Sequence, residues 1–227
     1  MSSTSPKNFS SFRRRICVKI RRRYVLNIDL CKLFEPASFR VHWIFPSKIH
    51  AFSSLPDLFR GNPWTRGDQS SSEFEEWVSN LPSERVVKDV KVSAKWMMDE
   101  FLAAGISKKL GLIGFGFGGG RLIDVLSQDT CFSTAVCFYG TQMPTSLDDI
   151  KVPVLFISGD SDPLCPIQTL KKYEEGIGKG SRLVVFKGQG HAFAHMPDSP
   201  EADQVAEEAF VITRNWLHDG LAGSINN

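Results

Sequence analysis

The chain has 227 residues, 42% of them hydrophobic and including 17 Phe, enough to bury one sizeable core; this predicts one domain with an appendage and argues against a repeat array or a disordered chain. The formal net charge is only +2, and no stretch approaches the roughly 18 to 20 apolar residues that cross a bilayer, so a soluble protein without a membrane partner is expected. Five Cys (Cys17, Cys31, Cys131, Cys137, Cys165), odd in number and without C-x-x-C spacing, argue for reduced thiols in an intracellular protein and against a metal site.

The small net charge hides an asymmetry. Residues 1–34 hold nine Lys and Arg against one acid, Asp29, while the rest carries 18 basic and 24 acidic residues. The body is therefore acidic, and it lacks the basic, aromatic-interleaved face of a nucleic-acid binder. The opening "MSSTSPKNFSSFRRR" is rich in Ser and Arg and free of acids, the composition of an organelle transit peptide; the plainer reading is a solvated basic tail. A chloroplast or mitochondrion is the expected destination on the first reading, and the cytoplasm on the second. Residues 1–54 are set apart on this ground from a domain at 55–227. The runs "ICVKI", "RYVLNIDL" and "FRVHWIF" are candidate strands that either rebuild a sheet edge or belong to an aberrant start that packs poorly, and the second reading is preferred.

Farther along, the pattern is regular. "Pro82-Ser83-Glu84" opens an amphipathic helix to about Ala104, with Ser83 as N-cap and Val87, Val90, Ala94, Met97, Met98 and Phe101 at helical spacing. An apolar strand follows from Leu110 to Gly114, then a glycine-rich turn and a helix through Leu126. Strands are predicted at 133–140, 152–159 and 182–188, with helices at about 167–175 and from Pro200 to Leu217. Continuously apolar strands separated by helices indicate an α/β fold with a mostly parallel sheet covered on both faces.

The turn "GLIGFGFGGGRLIDVL" admits two readings. Gly114-x-Gly116-x-x-Gly119 satisfies the dinucleotide fingerprint, but the acid expected about 20 residues on is replaced by Tyr139-Gly140-Thr141, with none before Asp148. The alternative is a nucleophile elbow, which in α/β-hydrolases is followed by an acid and then a His. The third of these strands runs into "SGDSDPLCP" with Asp160 and Asp162, and the fourth into "GQGHAFAH" with His191. Loops at the carboxyl ends of parallel strands converge on one edge, so this order favours the elbow. Taken alone, Asp160 and Asp162 read as turn formers and His191 as a surface residue, and His195 is read as a decoy.

These segments, together with "LPDLFRGNPW" and "CFYG", make residues from about Leu55 to Leu221 resemble the dienelactone hydrolase (carboxymethylenebutenolidase) family in its plant form. The resemblance implies an α/β-hydrolase fold and cofactor-free, metal-free hydrolysis of small esters or lactones through a Cys nucleophile in a G-F-C-x-G-G elbow. By that match the acid is Asp162, the base His191, and Phe117 offers a backbone N–H to the oxyanion. The nucleophile position falls on Gly116, which keeps a turn of positive φ without strain and removes the reactive atom. Cys165 is the nearest alternative thiol, although simple packing beside Pro166 is the preferred reading, and Cys131 and Cys137 read as core. The expectation is a weak or inactive carboxylic ester hydrolase, monomeric, with an incomplete oxyanion loop upstream; the alternative is a non-catalytic protein binding a small molecule or a partner on the same fold.

Overall fold

The computed structural model describes residues 23–28, 51–54, 56–60, 77, 80–103, 109–128, 131–147, 149–195, 197 and 199–222. Six parallel strands form one sheet: β1 (Arg23–Ile28), β2 (Ala51–Ser54), β3 (Leu110–Phe115), β4 (Phe132–Phe138), β5 (Val154–Gly159) and β6 (Arg182–Phe186), in the order β2-β1-β3-β4-β5-β6. The described helices are α1 (Ser83–Ala103), α2 (Phe117–Gln128), α3 (Ile167–Ile177) and α4 (Pro200–Ala222).

Every residue of β3 and β5 is buried. Because successive strand side chains point to opposite sides, burial at every position requires cover on both faces of the sheet. Helix α2 packs on β3 and β4 and α1 packs on α2, whereas α4 lies against β1, β3, β4 and β5. Trp216 on α4 anchors this last contact by donating its indole N–H to the Ala135 carbonyl at 3.0 Å. Strand β6 ends the row of strands and is only partly covered, with Val185 exposed.

The N-terminal segment departs from expectation. Residues 23–28 do not hang outside the sheet: they lie inside it, between β2 and β3, with Tyr24 opposite Leu110 and Leu26 opposite Leu112. Four apolar or aromatic residues in "RYVLNI" provide the strand, and the Arg run that made the region look like a tail ends at its first residue. A domain boundary at residue 54 therefore cuts through the sheet. "ICVKI" and "FRVHWIF" lie outside the described residues.

Helix α1 bears out its periodicity, with Val87, Val90, Ala94 and Met97 buried and Met98 packed against the core. Its start is built differently. The Ser83 hydroxyl does not cap the helix but donates to Asp124 Oδ2 at 2.6 Å, tying α1 to α2, while the Pro82 carbonyl accepts the N–H groups of Arg85 and Val86. Asp124 also pairs with Arg121 at 2.9 Å, and the Arg121 guanidinium lies 5.3 Å from the centre of the Phe117 ring.

Candidate active site

The carboxyl ends of β3, β5 and β6 bring the three expected loops together. Strand β3 runs straight into Gly116, whose φ of +52° turns the chain sharply before α2 begins at Phe117. Three backbone bonds fix this elbow: Gly116 donates to the Phe138 carbonyl at 3.0 Å, and the Gly116 carbonyl accepts from Gly120 at 3.2 Å and Thr141 at 2.9 Å. The neighbouring glycines serve packing. A Cβ on Gly120 would stand 1.9 Å from the Thr141 carbonyl oxygen, so the glycine run lets α2 approach the loop after β4. Phe117 is buried with Phe59, Leu81 and Trp77, so the turn at 56–60 covers the elbow from upstream.

After β5, Asp160 and Asp162 take different parts. Asp160 fastens loops, accepting the Gly188 N–H at 2.6 Å with one carboxylate oxygen. Asp162 folds its own turn, its Oδ1 accepting from Leu164 at 2.8 Å and Cys165 at 3.2 Å, the local bonding for which Asp is suited. Its Oδ2 faces His191 Nδ1 at 2.8 Å. An ionised carboxylate can only accept, so Nδ1 is the donor and Nε2 carries the lone pair. That Nε2 lies 3.6 Å from where a Cβ on Gly116 would stand. Asp162, His191 and Gly116 thus form one chain of close approaches, and at its end is a residue without a side chain.

Phe117, as the first residue of α2, belongs to the turn whose N–H groups have no partner within the helix, the place from which an oxyanion donor would come. The loop after β1, which should carry the second such donor, lies outside the described residues.

Cys165 lacks the setting of a reactive thiol. It is 2% exposed, and burial pushes its thiol up to about 11, a shift to which the nearby Asp162 charge adds. A reactive thiol needs the opposite shift. Cys137, in β4, is also buried with its thiol pushed upward, chiefly by desolvation. Among the described residues no group of three or more His, Cys, Asp or Glu side chains is arranged to hold a metal ion.

Two residues of the site were not singled out from sequence. Tyr139, directly after β4, is fully buried with φ +35°, its ring edge-on to His191 with centroids 5.2 Å apart. His195, read as a decoy, is buried and shares a hydrogen bond with the Tyr139 hydroxyl. The available signal was position: Tyr139 ends an apolar strand at the same sheet edge as the three loops, and a buried Tyr hydroxyl requires a partner.

The dienelactone hydrolase family model matches residues 45–221. The chain belongs to the dienelactone hydrolase family. Within it, the chain is similar to the carboxymethylenebutenolidase homolog of Xenopus tropicalis, 29% identical over 181 residues, covering 74% of this chain and 71% of that one. The human homolog is 26% identical over 174 residues, covering 72% and 69%. Among solved structures, a Klebsiella pneumoniae protein assigned as a dienelactone hydrolase superposes with a TM-score of 0.64 at 18% identity, covering 93% of this chain and 89% of that one. A dienelactone hydrolase-like promiscuous phosphotriesterase from metagenomic libraries gives a TM-score of 0.61 at 17% identity, covering 88% and 87%. At these identities the superpositions establish the α/β-hydrolase fold. No described helix is long and apolar enough to cross a membrane.

Proposed function

We propose that this member of the dienelactone hydrolase family keeps the acid and base of a small-ester or lactone hydrolase and lacks the nucleophile, so that as it stands it hydrolyses its substrate weakly or not at all. The observation that carries this reading is the 3.6 Å separation between His191 Nε2 and the Cβ position of Gly116. In the chemistry the family implies, a thiol at that point gives its proton to His191, its sulfur adds to the ester carbonyl, and the alcohol departs with that proton to leave an acyl-enzyme. With Gly116 there is no sulfur to add. The route left is general-base hydrolysis: Nε2 takes a proton from water, the water oxygen adds to the carbonyl, the Phe117 N–H supports the oxyanion, and the adduct collapses by breaking the ester C–O bond as the departing alcohol takes the proton back from Nε2. Losing a nucleophile costs several orders of magnitude in rate.

The test compares the chain with Gly116→Cys on an activated ester. The variant should show a burst of acyl-enzyme, abolished by His191→Ala, and the unaltered chain none. Turnover of the unaltered chain at about 1 s⁻¹ or faster, an ordinary enzymatic rate, and lost in His191→Ala, would overturn the proposal. Gly116 equally suits a non-catalytic pocket protein that holds a small ester or carboxylate; that reading is favoured if the unaltered chain binds such a ligand without turnover.

The basic, acid-free residues 1–22 are proposed as a targeting segment. Its cleavage must fall before Arg23, because removal of β1 would open the sheet. Mass spectrometry of the mature N-terminus tests this, and a start beyond Ile28 refutes it.

A further inference from the structure

Tyr139 and His195 form a buried pair beside His191 to which the hydrolytic steps assign no task. The geometry around them is closed. Tyr139 is pinned by its N–H to the Ile157 carbonyl at 2.7 Å, and its ring touches those of His191 and Phe193 edge-on, at 5.2 and 5.7 Å between centroids. His195 in turn donates its backbone N–H to the Ala192 carbonyl at 3.1 Å, closing the turn that starts at Ala192, next to His191, and its ring meets Phe115 at 5.7 Å between centroids. Two residues in this arrangement, Tyr139 at φ +35° and Ala192 at φ +64°, hold backbone conformations that side chains other than Gly rarely adopt. Such conformations persist where the surroundings over-determine them, and they gather at functional sites.

From this we infer that Tyr139 and His195 are positioning residues for His191. The turn at 191–195 is held from two sides: by Asp162 on the imidazole Nδ1, and by the Tyr139 hydroxyl on His195. The second bond keeps the Ala192 turn in its strained form. That in turn fixes the ring edge against Tyr139 and aims Nε2 at Gly116. Released from Tyr139, the turn relaxes toward negative φ at Ala192, and the imidazole keeps its acid partner only part of the time. This inference rests on the reading of His191 as the base.

The test follows the proton between His191 and Asp162 by NMR, as a downfield Nδ1–H signal assigned by its loss in His191→Gln. In Tyr139→Phe and His195→Ala that proton should exchange with water faster by about tenfold, the equivalent of one hydrogen bond. In His195→Gln, whose amide still pairs with the hydroxyl, exchange should return toward the original rate. In a Gly116→Cys background the same two variants should slow the acylation burst with KM unchanged. Unchanged exchange in both variants overturns the inference, whatever happens to the unfolding midpoint. If Tyr139→Phe does not fold, the comparison of His195→Ala with His195→Gln decides by the same signal. The exchange measurement needs no turnover, so it still decides if Gly116→Cys proves inert and the esterase reading fails.

Discussion

Asp162 Oδ2 lies 2.8 Å from His191 Nδ1, with the Asp162 side chain wholly buried and that of His191 28% exposed. The pair is thus asymmetric: the carboxylate is locked into the fold and the imidazole is open to solvent.

That lock gives Asp162 a structural duty beside its partnership with His191. Asp162→Ala leaves the buried Cys165 N–H without its acceptor, and an unsatisfied buried donor costs about 1–3 kcal/mol. Asp162→Asn, which can keep a carbonyl oxygen in that place, should cost less. Denaturant unfolding of the two variants checks the order, and equal losses would show that the backbone bonds are not what the carboxylate holds.

Gly116 and Gly120 should respond to Ala for different reasons and by different amounts. At Gly116 a Cβ meets only an ordinary contact with His191, so the cost is that of a positive φ, about 1 kcal/mol. At Gly120 the Cβ would overlap the Thr141 carbonyl, and backbone must move, so Gly120→Ala should be the more damaging. Paired unfolding midpoints measure this, and the reverse ranking would mean that the elbow is not built as described.

What the sequence made legible follows from how each feature is encoded. Strands β3, β4 and β5 announce themselves as uninterrupted apolar runs because both their faces are covered, and the loops carrying Asp162 and His191 follow β5 and β6 directly. Asp162 could be chosen over Asp160 only through the family resemblance, since both are good turn residues; the separation of their tasks is a matter of which oxygen faces which loop. Strand β1 was obscured by its neighbours, an Arg run that biases any compositional reading, and by pairing with a segment far away in the chain. Ser83 was misassigned because a hydroxyl at a helix start is equally able to reach a carboxylate on another helix. The bond from Tyr139 to His195 spans two loops, and no local pattern encodes it.

The cysteines give a pH-dependent prediction. Burial raises the Cys165 thiol from 9.0 to about 11, so the folded state holds this proton more tightly than the unfolded chain. The resulting stability is fully present below pH 9.0 and is lost as pH rises toward about 11. Thermal unfolding between those limits should show the decline. Cys137 and Cys165 should also resist a thiol-alkylating probe in the native protein at neutral pH and react once it is unfolded; rapid native labelling of Cys165 would reopen it as a nucleophile.

Deleting residues 1–28 should destroy cooperative unfolding. The deletion removes β1 from between β2 and β3, stripping β2 of its described neighbour and leaving one side of β3 open. Circular dichroism during denaturation distinguishes this from a dispensable tail, whose loss would leave the midpoint unchanged.

The position of β1 also sets a problem of timing. Tyr24 finds its partner at Leu110, so a chain growing from its N-terminus exposes the strand long before β3 has been made. Parallel pairing over such a sequence distance is slow, and an unpaired apolar strand awaiting its neighbour is prone to join other chains. The Arg residues at 21–23 place three positive charges at the head of this waiting strand, where mutual repulsion between nascent copies discourages that association until the sheet can receive it.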